Sequence, residues 1–194
     1  MTQRPILVDI CWTLYHSNTT FDFLDHVIQE PGYLRLRHWM HIPLIQKANL
    51  LLLNLLHRDL LRTRALRYLN QWTKEEICQM AEDFVNTQLE SKRIEEVWKL
   101  LPGRNIIIVS GTIPPIAEAV GRRLGAQKIY SGDIFKREAL DELTDFDIVT
   151  DNLSDAKLIR KAHQAYIVTY GNQERWKRLH LINTKYITDE ATRY

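Results

Sequence analysis

Short apolar runs alternate with helix-like segments in the C-terminal half of the chain, and one more such run lies near the N-terminus. Residues 5–9 (PILVD) form the N-terminal run, and NIIIVSGT, residues 105–112, forms the next one. Runs of this length that are rich in β-branched residues and bounded by polar residues are typical of buried strands. Three further runs occur in the segments QKIYSGDIF, FDIVTDN and QAYIVTY. The pattern predicts five strands.

Helix-like segments separate the C-terminal strands. These segments are PPIAEAVGRRLG, which ends at Gly125, then KREALDEL and SDAKLIRKA. Strands that alternate with short helices require crossover connections and form a parallel sheet covered on both faces. The sequence therefore predicts an α/β fold with a Rossmann-like, doubly wound parallel sheet.

Residues 20–100 show helical spacing and no convincing strand. The sequence Thr73-Lys74-Glu75-Glu76 has the pattern of a capping box, which predicts a helix that begins at this point. We predict an α/β core made of residues 1–19 and 101–194, interrupted by an inserted all-α helical bundle over residues 20–100.

The middle of this insertion is both apolar and basic. Residues 33–69 combine many Leu and Ile residues with Lys, Arg and His, and Asp59 is their only acid. We expect the Leu and Ile residues to form the buried faces of a bundle and the basic residues its solvated face. We also expect the aromatic and Met side chains of Trp39, Met40, Trp72 and Trp98 to be core residues. The alternative is a basic, apolar surface that docks on an anionic membrane or receives a lipid or sugar phosphate.

Composition limits the classes of function. The chain has 194 residues, 45% hydrophobic and 26% charged, as in a soluble globular protein. A net charge of +2 and a pI of about 8.5 are too weak a bias to predict nucleic-acid binding. Cys11 and Cys78 make neither a disulfide framework nor a metal cluster, and the sequence begins without a signal-peptide core. We expect a cytoplasmic location.

Polar residues follow three of the predicted strands. They are Asp9, the triplet Ser110-Gly111-Thr112, and Asp151 with Asp155. Ligands bind outside the carboxyl ends of strands in open α/β sheets, so these side chains converge if the strands are neighbours. Carboxylates at that density predict a hard divalent cation, Mg²⁺. A capping hydroxyl and the N–H groups at the start of the next helix suit a phosphate, and together these parts describe phosphoryl transfer through an aspartyl-phosphate.

In these motifs the sequence resembles the haloacid dehalogenase superfamily of aspartate-nucleophile phosphatases, and within it the phosphoserine-phosphatase-like branch with an inserted helical cap. The resemblance covers essentially the whole chain. The first family motif, Asp-x-Asp-x-Thr, is similar to residues 9–13 (DICWT), with Cys11 in place of the second aspartate. The later motifs are similar to Ser110, to Asp151-Asn152-Leu153-Ser154-Asp155 and, for the motif lysine, to Lys136, with Lys128 as an alternative.

The resemblance implies a role for each matched residue. It implies that Asp9 is the nucleophile and a Mg²⁺ ligand, with Cys11 and Thr13 completing the catalytic motif. The Cys11 carbonyl and the Asp151 side chain would also hold Mg²⁺, and Asp155 would support the metal site. The residues implied to bind the phosphoryl group are Ser110, Gly111 and Lys136. The resemblance further implies that the helical insertion is a cap that supplies substrate selectivity.

Cys11 permits three hypotheses. A thiolate nucleophile is the weakest of them, because the arginine-bearing loop that a cysteine phosphatase needs does not follow Cys11. The thiol could replace the usual aspartate as a general acid, or acid–base help could be absent. General acid–base assistance contributes roughly 10²–10⁴ in rate. Its loss predicts a slow phosphatase, one restricted to acyl or aryl phosphates, or a protein that binds phosphate without turnover.

These observations predict a Mg²⁺-dependent phosphatase that acts on a small phosphorylated metabolite, such as a sugar, amino-acid or lipid-linked phosphate. The alternatives are a catalytically impaired relative that binds phosphorylated ligands or a partner protein, and a phosphotransferase. We expect no nucleic-acid partner, and membrane contact through the insertion is not favoured. Neither the substrate nor the oligomeric state follows from the sequence.

Overall fold

One parallel sheet organises the chain in the computed structural model, which describes residues 4–56, 59–132, 141, 143–171 and 173–189. In these residues the sheet has six strands: β1 (Ile6–Val8), β2 (Ile106–Ser110), β3 (Lys128–Ser131), β4 (Asp147–Thr150), β5 (Gln164–Thr169) and β6 (Thr184–Thr188). Every neighbouring pair of strands is parallel. The predicted α/β fold with a parallel sheet is confirmed, and β6 is a strand that the sequence pattern did not predict.

Helices connect the strands and fill the long segment between β1 and β2. The α-helices are α1 (Thr19–Val27), α2 (Pro31–Met40), α3 (Pro43–Leu56), α4 (Leu60–Leu66), α5 (Lys74–Thr87), α6 (Glu95–Trp98), α7 (Pro114–Leu124), α8 (Ala156–Lys161) and α9 (Gln173–Lys177). Short 3-10 helices cover Arg67–Gln71, Glu90–Lys92 and Leu153–Asp155. The predicted helix over KREALDEL falls largely outside the described residues.

Two predicted helix ends are confirmed. The Thr73 N–H donates to Glu76 Oε2 at 2.7 Å and the Glu76 N–H donates to Thr73 Oγ1 at 3.2 Å, so the capping box starts α5 as expected. Gly125 follows α7 with a φ of 63°. This left-handed conformation suits glycine and ends the helix.

The central strands are buried on both faces. Every residue of β1, β2 and β4 is buried, so the side chains on both sides of the sheet are covered. One core cluster joins the sheet to α8 and α9; it contains Leu7, Ile107, Val109, Tyr130, Phe146, Ile148, Leu158, Ile159, Ala165, Ile167 and Trp176. The predicted two-sided covering of the sheet is therefore confirmed.

The strand order places a switch point beside β1. The order is β3-β2-β1-β4-β5-β6, so the chain moves outward from β1 to β3 on one side and from β4 to β6 on the other. Such a reversal opens a crevice at the carboxyl ends of the strands where the order changes. Here that position lies between β1 and β4.

The chain forms two compact units. One consists of Met1–Thr20 with Ala81–Tyr194 and contains the sheet, and the other is Phe21–Met80. Residues 81–100 fall in the unit with the sheet because they attach to the loop after β1, where the Ile94 N–H and the Trp98 indole N–H both donate to the Leu14 carbonyl. The predicted domains, a core of residues 1–19 and 101–194 and an insertion of residues 20–100, stay a prediction.

The unit Phe21–Met80 has a small polar and aromatic centre. The Tyr33 hydroxyl donates to Asp25 Oδ1 at 2.5 Å, and Arg37 Nε donates to Asp25 Oδ2 at 2.9 Å. The rings of Tyr33 and Tyr68 meet edge to face with centroids 5.5 Å apart. Arg64, Arg67 and Tyr68 line a cavity of about 260 Å³.

Several large apolar side chains of this unit are exposed. They are Leu34, Trp39, Ile42, Leu44, Leu51 and Leu60. The predictions that Leu and Ile here form buried faces and that Trp39 is a core residue are wrong for these positions, because helical periodicity shows which residues share a face and not which face is covered. Among the described residues, no helix has the length and apolar character needed to cross a membrane.

Candidate functional site

Two buried aspartates lie at the switch point. Asp9 directly follows β1 and Asp151 directly follows β4, and these strands are neighbours. The Asp9 N–H donates to the Val149 carbonyl of β4 at 3.1 Å, which extends the pairing one residue beyond β1. Asp9 Oδ1 accepts the Ile10 N–H at 2.8 Å, which orients the carboxylate. The strands are therefore neighbours, which is the condition under which the sequence predicts that these polar residues converge.

A tight loop follows Asp9. The Ile10 carbonyl accepts N–H groups from Thr13, Leu14 and Tyr15, so the chain turns sharply within five residues. Trp12 has a φ of 56°, a left-handed conformation that is unusual for a bulky residue. The Tyr170 hydroxyl donates to the Trp12 carbonyl at 2.6 Å, and the two rings meet edge to face. These contacts stabilise the conformation of Trp12.

Thr13 connects the loop to the end of β4. Its hydroxyl donates to Asp151 Oδ1 at 3.2 Å and accepts the Asp151 N–H at 3.0 Å. Thr13 is fully buried. A single hydroxyl therefore holds both the backbone and the carboxylate of Asp151 against the loop that carries Asp9. This is a positioning contact for a residue that the resemblance places in the catalytic motif.

Ser110 ends β2, on the other side of β1. It is fully buried, and its Oγ accepts the Thr112 N–H at 3.4 Å. The prediction that a hydroxyl caps the next helix is wrong, because the N-cap of α7 is Ile113 and no side chain caps it. Pro114 and Pro115 begin the helix and have no N–H groups, so its first turn offers fewer donors to a phosphate than predicted. A phosphate would depend instead on Ser110 and the turn that contains Gly111.

Cys11 is partly buried and contacts a network of buried threonine hydroxyl groups. Its Sγ lies 3.1 Å from Thr19 Oγ1, which lies 2.8 Å from Thr112 Oγ1. Thr112 Oγ1 also lies 3.1 Å from Thr20 Oγ1. The network joins the loop after β1, the start of α1 and the turn after β2. All three threonines are buried.

The environment of Cys11 keeps its thiol neutral. Burial, and next the negative charge of Asp9, raise the pKa of this thiol to about 11, while the hydrogen bond with Thr19 opposes the rise only in part. The group is protonated at neutral pH, which argues against a thiolate nucleophile. It is also poorly matched to general acid–base work at pH 7, since that work is most efficient when the pKa lies near the operating pH.

Asp155 is held at the end of β4 by Thr150. The Thr150 hydroxyl donates to Asp155 Oδ2 at 2.6 Å and accepts the Asn152 N–H at 3.0 Å. Both Thr150 and Asp155 are buried. The structure therefore brings Asp155 to the same end of β4 as Asp151, with one carboxylate oxygen engaged by a neighbouring side chain.

The structure describes one of the two lysines predicted to bind the phosphoryl group. Lys136 lies outside the described residues, so its predicted role stays a prediction. Lys128 begins β3 and aligns with Ile107, whereas Ser131 aligns with Ser110 at the carboxyl end of the strands. Lys128 also lies over the Tyr130 ring, with its Nζ 4.7 Å from the centroid. Its position at the opposite end of β3 makes Lys128 a poor alternative for binding a phosphate at Ser110.

The donor atoms at the switch point suit a hard divalent cation. Asp9 and Asp151 supply buried carboxylates, and in the described part of the chain no backbone N–H donates to the Cys11 carbonyl. Over the same residues, no group of three or more His, Cys, Asp or Glu side chains is placed to hold a metal ion. Two carboxylates and a backbone carbonyl are, however, oxygen donors of the type that Mg²⁺ prefers.

Four residues that take part in this geometry were not predicted as site residues: Thr19, Thr20, Thr150 and Tyr170. Thr19 contacts Cys11, and Thr150 contacts Asp155. Thr20 contacts Thr112, and Tyr170 contacts the Trp12 carbonyl. Thr19 carried only a helix-capping signal in the sequence, and nothing in the sequence pairs Tyr170 with the Trp12 carbonyl. The pair Pro114-Pro115 could have corrected the prediction about the start of α7, since proline cannot supply the N–H donors expected there.

The fold defines the chain as an α/β protein with a Rossmann-like parallel sheet and a polar crevice at its switch point. No family model matches the sequence, and no curated protein matches it. The chain is similar in structure to a protein with unknown function from Bordetella pertussis Tohama I. The TM-score is 0.69 at 14% sequence identity, over 96% of this chain and 99% of that chain. This similarity shows a shared fold.

We predict that Thr13→Val destabilises the protein more than Thr13→Ser. The valine removes the hydroxyl that Asp151 needs and leaves buried polar groups unsatisfied, which lowers the free energy of unfolding by about 1–3 kcal/mol. The serine keeps the hydroxyl and loses one methyl group, a loss of about 1 kcal/mol or less. Urea unfolding of the two variants and the wild type measures the difference. Equal losses would show that the hydroxyl contributes nothing.

Proposed function

We propose that the protein is a Mg²⁺-dependent phosphohydrolase of the haloacid dehalogenase type. The observation that supports this proposal best is the pair of buried aspartates at the switch point, Asp9 and Asp151. The Thr13 hydroxyl, from the loop that follows Asp9, holds Asp151. Carboxylates at neighbouring strand ends suit a reaction in which one acts as nucleophile and the other as a ligand for a cation. The motif similarity of residues 9–13, Ser110 and Asp151 is consistent with that reaction.

In the proposed reaction Asp9 is the nucleophile. A carboxylate oxygen of Asp9 bonds to the phosphorus of a phosphomonoester as the bond from phosphorus to the leaving oxygen breaks. Water then attacks the phosphorus of the aspartyl-phosphate, which releases inorganic phosphate and restores the carboxylate. The hydrogen bond from the Ile10 N–H to Asp9 Oδ1 keeps the carboxylate in one orientation during both steps. Ser110 binds the phosphoryl group, and Lys136 is assigned the same task.

Asp9, Asp151 and the Cys11 carbonyl would hold Mg²⁺, and Asp155 would support the site. The ion, when bound, offsets the negative charge that the carboxylates and the phosphoryl group share. The Thr13 hydroxyl fixes Asp151 in place before any ligand arrives, because both of its hydrogen bonds are made within the protein. Thr150 does the same for Asp155.

Cys11 restricts the substrates that this site can process. Residue 11 is a cysteine and supplies no carboxylic acid, and a thiol with a pKa of about 11 is a poor proton donor to a leaving group at neutral pH. Acyl and aryl phosphates have leaving groups that depart without protonation. We therefore propose that acyl and aryl phosphates are hydrolysed faster than alkyl phosphates. The substrates would be small phosphorylated metabolites of the cytoplasm. Selectivity among them would come from the helical insertion over residues 20–100, as the resemblance implies.

The same cysteine supports a second candidate function. A protein without acid–base help could bind a phosphorylated ligand and not turn it over. A phosphotransferase is a variant of the first proposal, in which an alcohol takes the place of water in the second step. Phosphate release and phosphate transfer to an added alcohol distinguish these cases in one assay.

We predict that the wild type hydrolyses p-nitrophenyl phosphate when Mg²⁺ is present and that Asp9→Asn abolishes this activity. The amide has the size of the carboxylate but is not a nucleophile. Asp147→Asn is the matched control: Asp147 is also a buried aspartate of β4, but it lies at the opposite end of the strand and pairs with Arg104 at 2.5 Å. Release of p-nitrophenol measures the rate, and circular dichroism checks that each variant is folded.

The control variant should retain the wild-type rate. No turnover by the wild type across aryl, acyl and alkyl phosphates, together with measurable phosphate binding, would favour the binding protein. Full activity in Asp9→Asn would contradict the proposed nucleophile, and full activity in the presence of a chelator would contradict the Mg²⁺ site.

We predict that Cys11→Asp raises the rate for alkyl phosphates and changes the rate for p-nitrophenyl phosphate little. A carboxylic acid at this position restores protonation of a poor leaving group, and general acid catalysis contributes roughly 10²–10⁴ in rate. Cys11→Ser is the control, because a hydroxyl resembles the thiol in size and does not supply an acid near neutral pH. The ratio of alkyl to aryl turnover is the measurement. An unchanged ratio in Cys11→Asp would show that the thiol does not limit the chemistry.

A further inference from the structure

We propose that the exposed faces of α2 and α3 dock on the surface of an anionic lipid bilayer. This α2–α3 face consists of Leu34, Arg35, His38, Trp39, Ile42, Leu44, Lys47 and Leu51. The proposal concerns where the protein binds and does not depend on the phosphohydrolase activity proposed above.

The α3 part of the face is an apolar stripe that contacts solvent. Leu44 and Leu51 are 76% and 60% exposed, and they lie seven residues apart, which is close to two helical turns. Lys47 and Ala48 lie between them on the same side of the helix and are also exposed. A helix that presents leucines to solvent at this spacing is unusual in a soluble domain, where such a stripe normally faces the core.

The α2 part of the face also presents apolar side chains to solvent. Leu34, Arg35, His38 and Trp39 form two pairs with a spacing of four residues, and all four side chains are exposed. Trp39 is 56% exposed. The buried side of α2 is separate, since it contains Tyr33 and Leu36. Tryptophan is suited to the boundary between headgroups and acyl chains because its ring is apolar and its N–H is polar.

The charge of this part of the chain favours an anionic partner. Residues 31–72 contain seven Lys and Arg residues and one acid, Asp59. The Asp59 carboxylate is engaged within the unit, where Oδ1 accepts the Arg62 N–H at 2.9 Å and an Asn49 side-chain N–H at 3.0 Å. Exposed Leu and Trp with interspersed cations are typical of helices that lie in the interface of a negatively charged bilayer.

The charge of the α2–α3 face also favours a bilayer over a second copy of this chain as its binding partner. A symmetric dimer through this face would bring the same basic residues of both copies together, with Lys47 between the two exposed leucines in each. Like charges in an interface oppose association, and lysine is depleted from interface cores. An anionic bilayer accepts both the leucines and the lysine, since the side-chain stem of lysine is buried while its ammonium contacts headgroups.

The test is flotation of the full chain with vesicles of phosphatidylcholine alone or mixed in equal parts with phosphatidylglycerol. We expect binding to the mixed vesicles, weaker binding at high salt, and little binding to phosphatidylcholine alone. The double variant Leu44→Ser, Leu51→Ser should lower the partition coefficient by about tenfold or more, because two apolar side chains no longer insert. Lys47→Glu should lower it by at least about fivefold.

A matched control comes from the other unit. Ile182 is 82% exposed and lies in the unit with the sheet, so Ile182→Ser removes an equally exposed apolar side chain without touching the α2–α3 face. It should bind vesicles as the wild type does. Mixed vesicles should also shift tryptophan emission to the blue, and Trp39→Phe should lose most of this shift. Each changed side chain is exposed or partly exposed, so circular dichroism should show no loss of fold.

Three results would overturn the proposal. The first is a wild type that does not float with the mixed vesicles. The second is an equal loss of binding in Ile182→Ser and in the double leucine variant. The third is a wild-type dimer in sedimentation velocity that the double leucine variant converts to a monomer, because the face would then be covered by a second copy.

Discussion

The candidate site depends on the parallel pairing of β1 with both β2 and β4. β1 has three residues, all buried, and it forms hydrogen bonds with a strand on each side. Parallel pairing brings the carboxyl ends of these strands to one edge, so Asp9 lies between Ser110 on one side and Asp151 on the other. The pairing continues past the strand ends through the Asp9 N–H and the Thr13 hydroxyl. A short central strand therefore brings Asp9, Ser110 and Asp151 to one edge of the sheet.

The thiol of Cys11 affects the electrostatics of the site formed by Asp9 and Asp151. Asp9 and Asp151 are buried carboxylates close enough to the thiol for both to raise its pKa. A third carboxylate at position 11 would add negative charge to a site that must be stable before a cation binds, and each buried charge needs compensation. The neutral thiol avoids this repulsion and packs against Thr19 within a network of buried hydroxyl groups. A thiol at position 11 therefore avoids the cost of a third buried charge beside Asp9 and Asp151.

The sequence predicted the features that depend on local pattern. Buried runs such as IIIVS and DIVT identified their strands, and the capping box at Thr73 and the glycine at position 125 identified helix ends. The sequence did not predict features that depend on contacts between distant parts of the chain. The edge strand β6, TKYIT, has three exposed residues and so lacks the apolar run of a central strand, although its β-branched and aromatic residues were a signal. The exposure of Leu44 and Trp39 could not be predicted from the sequence either, since it depends on what packs against each helix.

The most direct test of the central proposal is chemical trapping of the phosphorylated aspartate. Borohydride reduces an acyl phosphate, and an aspartyl-phosphate at position 9 then becomes homoserine. The protein is quenched during turnover of p-nitrophenyl phosphate with Mg²⁺, reduced and digested, and the peptide that contains VDICWTL is sequenced by mass spectrometry. We predict homoserine at position 9 in the wild type and none when substrate is omitted. Active protein with aspartate unchanged at position 9, or homoserine at another position, would contradict Asp9 as the nucleophile.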